Sequence, residues 1–284
     1  MPFTHPNLAN RTAVVTGGGG VLCGGFAKVL AAQGVKVAVL DLSLPAAQAV
    51  ADDIAAAGGT ALAIECNVLD KASLEAAREQ VNAAFGPCDI LINGAGGNHP
   101  SGTTSKEALE AIDLEQAAEG VTTFFDLDPA GISKVFNLNF LGTLLPTQVY
   151  ARDLASRPHA CIVMITSMNA IRPLTKIPAY SAAKAAVSNF TQFMATHFAP
   201  VNIRVNAIAP GFFSTAQNKT LLWNPDGSPT ARTGKILAAT PMKRLGLPEE
   251  LAGALLFLCD EAYSSFVTGS MVAVDGGFSA YSGV

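Results

Sequence analysis

The sequence predicts a single-domain α/β protein built on a doubly wound parallel sheet of about seven strands. Two observations support this class: short apolar runs alternate with longer helix-like segments, and the runs are apolar throughout instead of alternating with polar residues. Strands buried on both faces have this character, which is typical of parallel sheets covered by helices. Half of the 284 residues are hydrophobic, which suits one large domain over residues 1–284.

The predicted elements form repeated strand–helix–strand units. The strands are Thr12–Thr16, Lys36–Leu40, Ala61–Cys66, Ile90–Ile92, Ala160–Ile165, Arg204–Ile208 and Ser270–Val274. The helices are Gly24–Gln33, Ala46–Ala57, Ser73–Phe85, Ile132–Ala155 and Ser181–Ala199. No linker, repeat or low-complexity tract divides the chain, so we expect one sheet and one domain.

Two long segments interrupt this alternation, at about residues 98–123 and 212–240. Segments of this length inside a compact domain are usually binding loops and not plain connections. We therefore expect both on the substrate side of the protein.

The composition excludes several kinds of partner. The 18 Lys and Arg residues are scattered and outnumbered by 22 Asp and Glu, so neither nucleic acid nor an anionic membrane is an expected partner. The five cysteines form no CxxC pair, which indicates neither a disulfide framework nor a metal site. The N-terminus lacks the pattern of a signal peptide and no membrane-spanning apolar run follows, so we expect a cytoplasmic protein.

A glycine-rich turn, Thr-Gly-Gly-Gly-Gly at residues 16–20, joins the first strand to the first helix. Backbone N–H groups at such a helix start bind a pyrophosphate, and the absent side chains let the chain approach it closely. The expected contacts are Gly17, Gly19, Gly20, Val21 and Leu22. A merely flexible turn is the alternative, but the flanking strand and helix favour a Rossmann-type dinucleotide site.

An acidic residue, Asp41, ends the second predicted strand. Its carboxylate would accept hydrogen bonds from both ribose hydroxyls and repel a 2′-phosphate, which favours NAD(H) over NADP(H). The alternative is an N-cap for the next helix, although Ser43 could serve that purpose equally well.

Three side chains in the second half of the chain suggest acid/base chemistry. Tyr180 and Lys184 lie four residues apart at a helix start, so both emerge on one face and the cation favours phenolate. Ser167 follows a central strand, where ligands of open α/β sheets bind. Alone, the pair is an ordinary helix surface and the serine a cap or turn residue; together they are candidate catalytic groups.

In combination these residues resemble the classical short-chain dehydrogenase/reductase family from Thr12 to Gly277. Further matching motifs are Asn93-Gly94-Ala95-Gly96, the helical Asn137-Leu138-Asn139-Phe140-Leu141-Gly142, Pro210-Gly211 with Thr215, Arg244-Leu245-Gly246-Leu247-Pro248-Glu249-Glu250 and Val274-Asp275-Gly276-Gly277. The resemblance implies an NAD(H)-dependent oxidoreductase acting on carbonyl or CH–OH groups.

The resemblance also implies the roles of individual residues. Tyr180 would exchange the proton with the reacting oxygen, Ser167 would position that oxygen, and Lys184 would lower the pKa of Tyr180 and hold the nicotinamide ribose. Asn139 would support a water relay to Lys184. Further cofactor contacts would come from Asn67, Val68, Asn93, Ala95, Gly96, Pro210, Gly211, Phe213 and Thr215.

The sequence departs from the family pattern in three places. Val21 and Cys23 stand where the family has glycines, so Val21 needs an ordinary backbone conformation. Asn67 stands where the family commonly has Asp, although its amide still offers a donor and an acceptor. The connection between Asn93 and Asn139 is longer than usual, which indicates a substrate-side insertion.

Short segments resemble the D-mannonate oxidoreductase (fructuronate reductase) branch of the family, which implies a sugar-acid substrate. These segments are Val21-Leu22-Cys23, Gly97-Asn98-His99-Pro100 and the tail at residues 277–284. Arg172 is a candidate for binding the carboxylate, with Lys176 as an alternative cation, and either could instead be a solvated loop charge. Asn98 and His99 are candidates for the sugar hydroxyls, although a lone loop histidine is more often polar surface, and Asn169 is a weaker substrate candidate. Weaker candidates are Asn218 and Lys219, while Trp223 suggests loop packing.

Two alternatives remain open from the sequence. One is a dehydrogenase for a neutral polyol, ketone or 3-oxoacyl substrate, and the other is a non-catalytic dinucleotide-binding protein on the same fold. By resemblance we also expect a homotetramer.

Overall fold

The computed structural model describes residues 5–115, 118–215 and 219–283. Within these ranges seven strands form one sheet in the order β3-β2-β1-β4-β5-β6-β7, and every neighbouring pair is parallel. The strands are β1 Thr12–Thr16, β2 Lys36–Asp41, β3 Thr60–Glu65, β4 Ile90–Asn93, β5 Cys161–Ile165, β6 Arg204–Pro210 and β7 Met271–Val274. The predicted doubly wound parallel sheet of seven strands is therefore confirmed.

Helices cover both faces of this sheet. They are α1 Val21–Ala31, α2 Leu44–Ala56, α3 Lys71–Phe85, α4 Pro129–Phe136, α5 Gly142–Ala155, α6 Pro178–Phe198, α7 Lys219–Leu222, α8 Ala231–Ala239, α9 Ala252–Cys259 and α10 Glu261–Ser264. No helix within the described ranges has both the length and the apolar character needed to cross a bilayer.

Two hydrophobic cores explain why the strands are apolar along their whole length. Along β1, Val15 points into the core beneath α1, α2 and α9, whereas Val14 points into the core beneath α3, α5 and α6. Every residue of β1, β4 and β5 is buried. The apolar runs of the sequence therefore correspond to strands that bury both faces.

The structure corrects the predicted helix Ile132–Ala155. Helix α4 ends at Phe136, a π-helical segment covers Asn137–Leu141, and α5 begins at Gly142. A π-helical turn widens the helix by one residue, and such turns are frequent at functional sites. The segment 212–240 also departs from a plain loop, because it contains α7 and α8.

The direction of chain progression reverses between β1 and β4, which are neighbours although β2 and β3 lie between them in sequence. At this switch point the loops after the two strands diverge and leave a crevice at the carboxyl edge of the sheet, where ligands of such folds bind. The candidate site lies there.

Candidate active site

A cavity of about 510 Å³ opens at the carboxyl ends of the central strands. Its lining residues are Gly17, Gly20, Val21, Leu22, Cys23, Asp41, Leu42, Cys66, Asn67, Val68, Leu69, Gly94, Ala95, Gly96, Leu138, Ile165, Thr166, Ser167, Tyr180, Lys184, Pro210 and Gly211. The cavity therefore runs from the glycine-rich turn at one end to Ser167, Tyr180 and Lys184 at the other. We call it the main cavity.

The glycine-rich turn has a backbone that other residues would not tolerate. Gly17 has a φ of 64°, and a Cβ atom there would lie 2.9 Å from the Cα of Ala95. The Thr16 hydroxyl fixes the neighbouring loop, because its Oγ1 accepts hydrogen bonds from the N–H groups of Gly94 at 3.1 Å and Ala95 at 3.3 Å. The turn and the loop after β4 thus pack closely and form the floor of the main cavity.

The structure explains the departure from the family's glycine pattern. Gly20 is the N-cap of α1, which begins at Val21, so Val21 and Cys23 lie in ordinary helical conformation. The first N–H groups of a helix have no partner within it, and those of Val21 and Leu22 therefore stay available as donors beside the main cavity. The Cys23 side chain is buried against Gly94, and this burial raises the pKa of the Cys23 thiol to about 12.

The Asp41 carboxylate lies where a ribose-binding group is expected. Its Oδ2 accepts a hydrogen bond from the Gly19 N–H at 3.0 Å, and its Oδ1 accepts one from the Ser43 N–H at 3.0 Å. Ser43 itself is the N-cap of α2, so Asp41 does not take the alternative role. A carboxylate has further lone pairs for hydroxyl donors. These residues fit NAD(H), because a 2′-phosphate would meet this negative charge.

Ser167, Tyr180 and Lys184 meet at the other end of the main cavity. Ser167 follows β5, and Tyr180 and Lys184 lie in the first two turns of α6. The Lys184 Nζ lies 5.7 Å from the centroid of the Tyr180 ring and donates a hydrogen bond to the Ile165 carbonyl at 2.8 Å. The Ser167 Oγ also accepts from the Asn169 N–H at 3.2 Å, so the serine is a helix cap as well.

The electrostatics correct one expectation about this group. Burial raises the pKa of Tyr180 above its ordinary value, and a hydrogen bond with Ser167 opposes that rise. The pKa of Tyr180 therefore shifts in the direction opposite to the lowering expected from Lys184. Burial also lowers the pKa of Lys184 to about 8, because an ammonium is costly to remove from water. At neutral pH the pair is a protonated phenol beside an ammonium.

Asn139 is fully buried in the π-helical segment. Its Nδ2 donates to the carbonyl oxygens of Gly97 and Val135, both at 2.8 Å, and its Oδ1 accepts from the Gly97 N–H at 3.2 Å. A Cβ on Gly96 would lie 2.6 Å from the Asn139 Oδ1 and 3.0 Å from the Lys184 Nζ. Asn139 and Lys184 therefore converge on Gly96.

Four other predicted cofactor residues do not all line the main cavity: one lines it, one lies beneath it and two line a neighbouring cavity. Asn67 lines the main cavity, and its Oδ1 accepts from the Leu69 N–H at 3.0 Å. Asn93 is buried beneath the main cavity and donates from Nδ2 to the Thr147 Oγ1 at 2.9 Å, so it supports the loop without lining the cavity. Phe213 and Thr215 line an adjoining cavity of about 380 Å³, which we call the second cavity.

The polar side chains of the loop after β4 form hydrogen bonds within that loop. The Asn98 Nδ2 donates to the Thr103 Oγ1 at 2.9 Å, and the His99 Nδ1 accepts from the Ser101 N–H at 3.2 Å. Both side chains are exposed and neither lines the main cavity. Asn169 is buried, and its Oδ1 has no hydrogen-bond partner within the described part of the chain.

Arg172 and Lys176 lie outside the main cavity. The exposed Arg172 guanidinium donates a hydrogen bond from Nη1 to the carbonyl oxygen of Tyr281 in the C-terminal tail. The exposed Lys176 has a φ of 71°, and its carbonyl accepts from the Thr104 N–H at 2.8 Å.

Trp223 packs on a small apolar cluster that includes Ile236. Two weaker candidates give no side-chain geometry: Asn218 lies outside the described residues, and Lys219 is described only as the start of α7.

Several lining residues were not predicted as site residues. They are Leu42, Cys66, Leu69, Gly94, Leu138, Ile165 and Thr166 in the main cavity and Leu221, Leu222 and Arg232 in the second. Most residues of the first group end a strand or directly follow one. Ligands of open α/β sheets bind at this carboxyl edge, so the position could have predicted these residues as lining residues. The second group comes from α7 and α8, for which the sequence carries no comparable signal.

Comparison with known proteins agrees with this geometry. A family profile described as Enoyl-(Acyl carrier protein) reductase matches residues 22–279. An oxidoreductase named UxuB from Bacillus subtilis, described as uncharacterized, is 54% identical, with 99% of each chain covered. The 7alpha-hydroxysteroid dehydrogenase of Escherichia coli is 32% identical, with 97% of each chain covered.

A solved structure provides the fold-level comparison. A protein of Haemophilus influenza, provisionally named D-mannonate oxidoreductase and crystallised with bound NAD, is 55% identical and superposes with a TM-score of 0.93 over 98% of each chain. The sheet order, the glycine-rich turn before α1 and the Ser167, Tyr180 and Lys184 group agree with this similarity. The chain therefore belongs to the short-chain dehydrogenase/reductase family of oxidoreductases, which act on alcohol and carbonyl groups.

Proposed function

We propose that this enzyme uses NAD(H) to interconvert a carbonyl and a secondary alcohol on a sugar acid, with D-fructuronate and D-mannonate as the pair. The observation that carries the reaction type is the meeting of Ser167, Tyr180 and Lys184 in a cavity that begins at a dinucleotide-binding turn. The choice of NAD(H) rests on the Asp41 carboxylate, which is held by Gly19 and Ser43 beside the same cavity.

The chemistry divides between cofactor and protein. When bound, the nicotinamide supplies or accepts the hydride. The Ser167 hydroxyl positions the substrate oxygen, and the Tyr180 hydroxyl gives that oxygen its proton during reduction. The raised pKa of Tyr180 suits this role, because the phenol keeps its proton at neutral pH.

Lys184 has a supporting role in this scheme. Its ammonium has three N–H donors, and one of them is bound to the Ile165 carbonyl oxygen. The other two stay available for a ribose hydroxyl and for the water relay that Asn139 would support. The positive charge also stabilises the phenolate that forms when Tyr180 has given up its proton.

The sugar acid would be recognised by polar groups around the entrance. Arg172 uses one guanidinium N–H for the Tyr281 carbonyl and keeps the others for a carboxylate. The buried Asn169 lies two residues after Ser167, and its Oδ1, which has no hydrogen-bond partner among the described residues, would accept from a sugar hydroxyl. Asn98 and His99 would contribute after leaving their loop partners Thr103 and Ser101.

The similarity to the Haemophilus influenza protein supports the sugar-acid substrate, because 55% identity extends over 98% of both chains. A neutral substrate is the second candidate. The 7alpha-hydroxysteroid dehydrogenase is 32% identical over nearly the whole chain, so this scaffold accommodates apolar substrates in a relative.

A substrate panel tests the proposal. NADH oxidation would be followed with D-fructuronate, with neutral ketoses, with steroid ketones and with a 3-oxoacyl thioester, and each would be repeated with NADPH. We expect turnover with D-fructuronate and NADH. Turnover on uncharged compounds alone would contradict the sugar-acid assignment, and binding of NADH without turnover on any compound would favour the non-catalytic alternative.

The expected homotetramer and cytoplasmic location are parts of the same proposal. Large exposed apolar side chains on α6 and near β7, including Phe193 and Phe266, are consistent with contacts between copies. A solution mass of four chains would support the tetramer, and a mass of one chain would contradict it.

A further inference from the structure

The second cavity continues the main cavity past the start of α1. Both are lined by Val21, Leu22 and Gly211, so they meet at the first turn of that helix. The opposite wall of the second cavity is formed by Phe213, Thr215, Leu221, Leu222 and Arg232. Arg232, in the first turn of α8, therefore borders the same cavity as the end of α1 that carries the free N–H donors.

Among the described side chains that line the two cavities, Arg232 is a cation without a matching carboxylate. Among the described residues that line them, the carboxylate and cationic side chains are Asp41, Lys184 and Arg232. Asp41 and Lys184 carry opposite charges and nearly cancel. The Lys184 ammonium is also turned toward the Ile165 carbonyl, at the end that holds Ser167 and Tyr180.

A dinucleotide brings a diphosphate with two negative charges to the start of α1. The helix end offers neutral N–H groups and a partial positive charge, which balance only part of that charge. Arg232 adds a full positive charge to the cavity that these N–H groups border. Its guanidinium is planar and presents paired N–H donors, a geometry that matches phosphate oxygens.

Arg232 has no competing partner among the described residues, and its helix is anchored at both ends. Within the described ranges Arg232 forms no ion pair or side-chain hydrogen bond, whereas Lys235 on the same helix pairs with Glu107 at 2.7 Å. The Thr230 Oγ1 caps α8 by accepting from the Thr233 N–H at 3.3 Å, and Ile236 is buried. The backbone that carries Arg232 is thus anchored on both sides while its side chain stays free.

We propose that Arg232 is a cofactor-positioning residue that pairs with the diphosphate of the bound dinucleotide. A role in binding a substrate carboxylate is the competing assignment for the same guanidinium. The position argues against it, because neither Ser167 nor Tyr180 lines the second cavity. The pairing would also draw α8, and through Lys235 the insertion that carries Glu107, toward the bound cofactor.

Ligand binding by full-length variants tests this pairing without relying on turnover. Dissociation constants of NADH and of ADP-ribose, which carries the diphosphate but no nicotinamide, would be measured by calorimetry. We expect Arg232→Gln to weaken both ligands about 10-fold, equal to about 1.4 kcal/mol, and Arg232→Lys to recover part of the loss. Arg152→Gln is the control, because it removes the same charge from an exposed position that lines neither cavity.

These binding measurements test Arg232 independently of the proposed sugar-acid substrate, because ADP-ribose binds without any substrate. Unchanged dissociation constants of both ligands in Arg232→Gln would overturn the pairing. If the variant also raised the KM for a sugar acid while binding NADH normally, Arg232 would belong to the substrate site. An equal loss in Arg152→Gln would likewise overturn the proposal, because the effect would then be one of overall charge.

Discussion

The Lys184 Nζ lies 2.8 Å from the carbonyl oxygen of Ile165, the last residue of β5. This hydrogen bond joins α6 to the carboxyl end of a central strand. It therefore holds Tyr180, one helical turn before Lys184, in a fixed position relative to Ser167, which follows the same strand. The rigid sheet thus positions the reacting groups.

Gly96 separates the groups that converge there. A methyl group in Gly96→Ala would lie 2.6 Å from the Asn139 Oδ1 and 3.0 Å from the Lys184 Nζ, so one of them must move. We expect turnover to fall at least about 10-fold, since small displacements of positioning groups are costly. Gly97→Ala is the matched control, because a Cβ there meets nothing within 4 Å. Equal turnover in the two variants would refute the crowding argument.

The reduction rate should depend on the charge of Lys184. Burial lowers the pKa of its ammonium to about 8, so the cation is present below that pH and is lost as the pH rises through it. Tyr180, whose pKa is raised, keeps its proton over the same range. We expect kcat/KM for carbonyl reduction to decline above about pH 8, a profile that reports groups of the free enzyme. A rate that stays flat to pH 10 would show that the charge of Lys184 is dispensable.

Cofactor choice should follow Asp41. In Asp41→Asn the amide retains one acceptor for the Gly19 or Ser43 N–H but loses the negative charge that faces a 2′-phosphate. We expect the ratio of kcat/KM for NADH to that for NADPH to fall about 10-fold. Asp52→Asn, at an exposed position of α2, should leave this ratio unchanged. A ratio unchanged in Asp41→Asn would remove Asp41 from cofactor selection.

The insertion at residues 98–123 is tied to α8 by the ion pair of Glu107 and Lys235. Both side chains are largely exposed, so the pair adds little to folding stability but fixes two substrate-side segments to each other. In Glu107→Gln we expect an unchanged melting temperature and a higher KM for the sugar acid. Glu115→Gln, which removes a charge from the same insertion, is the control. A drop in melting temperature with an unchanged KM would assign the pair to stability alone.

The strands could be predicted from the sequence because burial on both faces makes each one a continuous apolar run. The sequence also predicted a helix over residues 132–155, but it did not reveal the π-helical segment Asn137–Leu141 inside it. A single π-helical turn adds only one residue, and the helix continues on both sides of it.

The site residues that follow strands could be predicted from the sequence. Contacts between segments that are distant in the sequence could not. Asp41 and Ser167 could be placed by their positions after β2 and β5. The spacing of Tyr180 and Lys184 indicated their proximity, but it could not indicate the burial that raises the pKa of Tyr180. Nor could spacing reveal that Arg172 meets the carbonyl of Tyr281 in the C-terminal tail.

The proposed mechanism depends on Tyr180 as the proton donor, and removal of its hydroxyl tests this role directly. In Tyr180→Phe the ring and its contact with Lys184 remain, while the proton donor is lost. We expect kcat for D-fructuronate reduction to fall by about 10²- to 10⁴-fold and the dissociation constant of NADH to stay within about twofold of the parent value. A Tyr180→Phe enzyme that binds NADH and retains its full kcat would show that Tyr180 is not the proton donor.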